Sequence, residues 1–177
     1  ARAVNEGAFR AHVGRICDAV NDSERARRRD DRRLARELAA GRTTTAQRNA
    51  LLDSARRAES RSSHSLAEFA GMSVSPRAAA AHRTTVAAWR RNLDRVLEYI
   101  QRLDRVAQRP SLLAAVDYLS LQRSALARGG LRINEGLERL GGEISDIDPP
   151  VVTKAITLPG VPGRVNPPRH SDDTTTQ

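Results

Sequence analysis

The chain has 177 residues, room for one domain plus a tail, and its hydrophobic fraction of 39% is rich in alanine with only 3% aromatic residues. So thin an Ala/Leu core suits helices in close contact and argues against a sheet sandwich. The formal net charge of +9 keeps anionic partners in view, while a single cysteine, Cys17, rules out an intrachain disulfide and a cysteine zinc cluster.

Nearly all the basic charge is arginine, with Lys154 the only lysine. Two readings of that excess compete: a nucleic-acid or anionic-lipid partner, or a high-GC genome that encodes Arg in place of Lys. The Ala/Arg richness favours the second for the Lys/Arg ratio but leaves the net charge unexplained. No stretch approaches the roughly 20 apolar residues of a membrane span. The chain starts Ala1-Arg2 without methionine, so something upstream is expected to have been removed, and the absence of an anchor here says little about the full-length protein.

The first helix is expected over about Asn5–Ala40. Phe9, Val13, Ile16 and Val20 share one face, with Cys17 beside them. The stripe fades over Asn21–Arg33 and returns at Leu34 and Leu38. Charges there can pair along the helix, Glu24 with Arg28 and Arg33 with Glu37. The expectation is one long helix with a solvated centre, a break near Asn21–Ser23 being the alternative, and Gly41 ending it. A second helix opens at Thr43–Thr45, where Thr44 and Gln47 have capping-box spacing. Its apolar face is Leu51 or Leu52, Ala55, Ala58, Leu66 and Phe69, with the small Ser62 between, and Gly71 closes it. Ser75 is placed to cap a third helix, with Pro76 at its first position.

That third helix, Pro76–Gln108, carries the best pattern in the chain. Val86, Trp89, Leu93, Val96, Ile100 and Leu103 form an unbroken stripe, with Trp89 and Ile100 expected among the most buried residues. Pro110-Ser111 stops one helix and caps the next. In the fourth helix Leu112, Leu119, Leu126, Ile133 and Leu140 recur every seven residues, with Val116, Gly130 and Leu137 interleaved and Arg123 the misfit. Gly129-Gly130 alone predicts a break. The phase survives across it, so a continuous or kinked helix is expected, with a glycine on the stripe admitting a close neighbour. After Gly141-Gly142 most of the eight prolines follow, and the chain ends SDDTTTQ. The reading is an all-α antiparallel four-helix bundle over residues 1–142. A Pro-rich, mostly irregular tail follows over 143–177, partly disordered, with Val151–Leu158 available to lie on the bundle.

Three features carry a resemblance: Ile16-Cys17-Asp18-Ala19-Val20-Asn21 in the first helix, Val74-Ser75-Pro76 before the third, and the central Trp89. Over about Phe9–Asn134 the chain resembles the small helical extracytoplasmic domains of actinobacterial membrane-anchored proteins of unknown function. The resemblance implies an N-terminal span before the bundle. In that class a second cysteine often follows a Gly-Leu near the end of the fourth helix, and the resemblance implies its pairing with the first. Here Gly130-Leu131-Arg132-Ile133 leads to Asn134, so the resemblance leaves Cys17 as a buried orphan.

Catalytic chemistry finds little to build on. His12, His64, His82 and His170 have no Glu three residues before them, as a bundle di-metal site requires. His12 is off the Cys17 face, and His82 comes near Cys17 only if the fold brings it. Gly129-Gly130 lacks the strand and the Lys-Ser/Thr pair of a phosphate loop. No catalytic, cofactor-binding or metal residue is assigned, and no small-molecule substrate is evident.

The densest basic run, Arg25–Arg33, has six arginines against two aspartates in nine residues. Arg25, Arg27, Arg28, Arg29, Arg32 and Arg33 are the candidate contacts for an anionic partner, lipid or nucleic acid, and any such binding is expected to be weak. The interspersed Asp30-Asp31 favour a solvated helix face with internal ion pairs. The functional expectation is a non-catalytic structural or protein-interaction module, outside the cytoplasmic membrane and anchored upstream, with a protein partner or self-association. The alternative is a cytoplasmic Arg-rich helical protein associating with nucleic acid.

Overall fold

The computed structural model describes residues 5–40, 44–105 and 112–144. Over these the chain is all-α, with helices α1 (Glu6–Ala40), α2 (Thr44–Gly71), α3 (Ala79–Arg105) and α4 (Leu112–Arg139). Gly41, Thr43, the Pro110-Ser111 connection and the tail from residue 145 lie outside the described residues, as do the side chains of 112–124.

Local chemistry sets the helix ends. Asn5 caps α1, its Oδ1 accepting from Gly7 N at 2.9 Å. Ser75 caps α3 as its position predicts: its Oγ lies 3.4 Å from Ala78 N and its carbonyl 3.0 Å from the same nitrogen. The first turn, Pro76–Ala78, precedes the regular helix. At the end of α4, Gly141 N donates to Glu138 O at 2.9 Å and Gly142 N to Leu137 O at 3.1 Å. This is a Schellman turn, and Gly141 supplies its left-handed residue with φ of 91°.

The helices pack in sequence order, α1 on α2, α2 on α3 and α3 on α4. Residues 9–17 of α1 share a core with Leu66 and Phe69 of α2 and with Met72 just beyond it, while Asp30 meets Arg57 and Arg61. Phe69 meets His82, Ser62 meets Trp89, and Leu51 and Leu52 join Tyr99 and Leu103. Neighbours in sequence therefore run antiparallel.

Two apolar clusters result. The larger, at the end where α1 begins and α4 finishes, is built on Phe9, Val13, Ile16, Cys17, Leu66, Phe69, Trp89 and Leu137. The smaller, at the far end, holds Ala50, Leu51, Leu52, Tyr99 and Leu103.

The predicted α3 stripe is only partly the buried face. Val86, Trp89 and Leu103 are buried, but Leu93, Val96 and Ile100 are half-buried, while His82, Thr85 and Tyr99 go in. Ile100 is thus not among the most buried residues. The cause is that α3 packs on both α2 and α4, which widens its covered face beyond a single stripe.

The α4 helix runs unbroken through Gly129-Gly130, and the glycine at the close approach is Gly129, not Gly130. A methyl on Gly129 would overlap Asn92 Oδ1 and come within 2.7 Å of its Cγ, while one on Gly130 meets nothing within 4 Å. Seven residues on, a methyl on Gly136 would overlap Thr85 Oγ1 and lie 2.9 Å from its Cγ2 and 3.1 Å from its Cβ. Two glycines thus let α4 settle on Asn92 and Thr85.

Gly136→Ala sets two effects against each other. Helix propensity gains about 1 kcal/mol, and overpacking against the buried Thr85 costs about 1–3 kcal/mol. A net loss of about 1 kcal/mol in a denaturant melt is expected, turning into a gain when Thr85 is also changed to Ala. A gain in the wild-type background would place the two helices farther apart.

Candidate functional site

The basic run of α1 is interlocked with acids. Arg25 pairs with Asp22, and Arg27 with Glu24, its Nε 2.8 Å from Oε2. Arg28 Nε lies 3.9 Å from Glu24 Oε1, the pair expected from the sequence, though Arg27 sits closer to the same carboxylate. Arg29, Arg32 and Arg33 are exposed. Asp30 turns the other way and reaches α2, with Arg57 Nε at 3.3 Å and Arg61 Nη1 at 2.9 Å. The centre of α1 is therefore not only solvated; it is fastened to α2 where its apolar stripe fades. Single exposed pairs contribute about 0–1 kcal/mol, but a carboxylate shared by two arginines from the facing helix also fixes register.

His82 is spent on a helix end. It is buried, and its Nε2 lies 2.7 Å from Phe69 O, with the imidazole centroid 4.6 Å from the Phe69 ring. Phe69 lies in the last turn of α2, where carbonyls have no partner within their own helix. A carbonyl only accepts, so Nε2 is the donor in this hydrogen bond. Trp89 does similar work, its Nε1 donating to Ser62 Oγ at 2.9 Å across the α2–α3 contact.

His82 also borders an open groove of about 530 Å³ lined by Ala70, Arg83, Val86, Ala87 and Arg90. Its floor is apolar, and two arginines seven residues apart flank it.

Cys17 lies under the chain that leaves α4. It is 1% exposed and in no disulfide, and a methyl on Gly142 would overlap its Sγ. Asn21, one turn farther along α1, donates from Nδ2 to Glu143 O at 3.2 Å, and Ile144 packs on the main cluster. Residues 142–144 thus form a strap across α1. His82 Nε2 is engaged with Phe69 O.

Burial, and then the neighbouring Asp18, push the Cys17 thiol up from 9.0 to about 11, against the pull of the Glu143 backbone hydrogen bond. Below about pH 9 the thiol is protonated in both folded and unfolded chains. Between about 9 and 11 the unfolded chain releases the proton and the folded chain keeps it, so stability falls as pH rises. The expected loss approaches about 1.4 kcal/mol per pH unit in that window. Chemical melts of wild type and Cys17→Ala across pH 8–11 isolate it: the difference between them should shrink with pH, and a constant difference would contradict the buried thiol.

Among the described residues, no group of three or more His, Cys, Asp or Glu side chains is placed to hold a metal ion. No helix among them is long and apolar enough to cross a membrane. Sequence reasoning missed the His82 cap, the Asp30 bridge and the glycine by which the strap rests on Cys17. The one signal for the last was Gly141-Gly142 at the end of α4. The chain matches no family model, no curated protein and no solved structure.

Proposed function

We propose that the chain is a non-catalytic structural or protein-interaction module, the extracytoplasmic part of a membrane-anchored protein of the actinobacterial kind. One observation carries this reading: the buried His82, Trp89, Asn21 and Cys17 are engaged in holding the helices and the strap together. His82 caps α2, Trp89 ties α3 to α2, and Asn21 and Cys17 seat the strap. Of the residues behind the resemblance, Ile16, Cys17, Asn21, Ser75 and Trp89 are buried and serve the same packing, while Asp18 and Pro76 are exposed. An anchor would lie outside these four helices, and the partner is a protein or a second copy of the chain.

A second reading, a cytoplasmic protein associated with nucleic acid, draws on the exposed Arg29, Arg32 and Arg33 and the net charge of +9. Intact cells producing the parent protein discriminate the two. Trypsin added outside should cut the bundle at its exposed arginines before lysis. Cleavage seen only after lysis would place the domain in the cytoplasm and favour the second reading.

A further inference from the structure

We infer that α3 carries a self-complementary face on which a second copy of the chain docks antiparallel, the exposed Leu97 of each copy entering the other's groove beside His82. The inference rests on the interaction-module reading and names its partner. From Arg83, steps of four and three residues pass through Ala87, Arg90, Asp94, Leu97 and Gln101, so these form one row along the helix. The row is opposite the side of α3 that buries Thr85, Tyr99 and Leu103. Arg83, Arg90, Asp94, Leu97 and Gln101 are exposed, and Ala87 is half-buried. Leu97 is 41% exposed, one of two large apolar side chains left in water among the described residues. A lone exposed leucine needs no partner, but this one has a matching hollow on its own helix. The groove lined by Ala70, His82, Val86 and Ala87, flanked by Arg83 and Arg90, lies in the same row toward the start of α3.

Charge and spacing fix the register. Arg90 and Asp94 stand two residues to either side of the level of Asn92, and Ala87 and Leu97 five residues to either side. At about 1.5 Å per residue the offsets are about 3 Å and about 7.5 Å. A twofold axis crossing the row at that level sets two α3 helices antiparallel and makes every contact twice. It brings Arg90 against the second copy's Asp94. It also brings Leu97 against the second copy's Ala87, into the groove between Arg83 and Arg90. With about 100° of turn per residue, Leu97 and Val86 lean to the same side of the row, and the axis keeps that side in common. Within one chain Arg90 precedes Asp94 by four residues, the less favourable order for a helical ion pair, which favours pairing across the axis. A parallel pair would instead set Arg83 on Arg83 and Arg90 on Arg90, opposing like charges.

The test is sedimentation velocity on the full chain across the micromolar range. A single helix face makes an interface at the small end of specific contacts, so a reversible dimer is expected, its weight-average mass rising with concentration. Arg90→Asp and Asp94→Arg, each alone, should stay monomeric over that range, because each opposes like charges at both symmetric contacts. Their far-UV circular dichroism should match the wild type, since both positions are exposed. Mixed in equal amounts, the two variants should dimerise again, because every contact then pairs opposite charges. Leu97→Asp should be monomeric. A wild type that stays monomeric to millimolar concentration would overturn the inference while leaving an unlike protein partner under the proposed function, which the protease test in intact cells reads independently. A dimer unmoved by these variants, or charge variants that fail to dimerise on mixing, would overturn this face and its antiparallel register.

Discussion

Phe69→Ala should destabilise the bundle by about 3–5 kcal/mol, a large part of the stability of a domain this size. Phe69 is fully buried and stands where α1, α2, α3 and α4 share the main cluster. His82 lies against one side of its ring at a centroid distance of 4.6 Å, and Trp89 lies 5.8 Å away. Truncation removes the apolar surface and leaves a cavity whose walls, being helices pinned elsewhere, cannot collapse into it. It also removes the ring against which the His82 imidazole packs, while the hydrogen bond to the backbone carbonyl of residue 69 remains available. Denaturant melts read by Trp89 fluorescence and by far-UV circular dichroism measure the loss, and Trp89, the only tryptophan, makes the first probe local to the cluster. A loss under about 1 kcal/mol would mean that the cluster is not the bundle's main support.

The second large effect concerns the strap. Gly142→Ala places a methyl on Cys17 Sγ, 3.2 Å from Leu137 O and 3.3 Å from Val13 Cγ1. The sulfur is buried and the carbonyl belongs to the helix, so the strap itself must lift. Lifting strains the Gly142–Leu137 and Asn21–Glu143 hydrogen bonds, 3.1 and 3.2 Å in the native chain. A cost of about 1–3 kcal/mol is expected. In the Cys17→Ala background the sulfur is gone and the same change should cost under about 0.5 kcal/mol. The coupling in this double-mutant cycle is the quantity to read. Additive losses would show that Gly142 does not rest on Cys17.

The fold was legible where a single helix states its own case. Phe9, Val13 and Ile16, or Leu66 and Phe69, recur at helical spacing and are buried as that spacing requires. Ser75-Pro76 announced the start of α3 for the same reason, since a cap is local chemistry. What was not legible depends on how helices meet. Asp30 looked like one more charge on a solvated face until α2 brought Arg57 and Arg61 to it. His82 carried no neighbouring signal, because its partner is a backbone carbonyl thirteen residues away in another helix. The α4 stripe misplaced its glycine by one position. A straight helix drifts by about 20° per seven residues, so a strict heptad row turns away from the neighbour, and Leu126 is only half-buried where Ile133 and Leu140 are buried. The arginines of α1 were legible as a basic run, but their distribution among Asp22, Glu24 and solvent was not.

That distribution decides what the charge can do. A surface built for phosphate presents cations free of local acids and loses affinity steeply with salt, because each neutralised phosphate releases about one counterion. Here Arg25, Arg27 and Arg28 are already beside carboxylates, and only 3% of the chain is aromatic, which leaves few platforms for base stacking. The most direct measurement is a fluorescence titration of labelled duplex and single-stranded DNA with the full chain at low and at physiological salt. Arg27→Gln/Arg28→Gln/Arg29→Gln is titrated in parallel. The expected result is weak binding without sequence preference, abolished at physiological salt. Submicromolar binding that persists at physiological salt and collapses in the triple variant would contradict a module whose α1 arginines serve the fold.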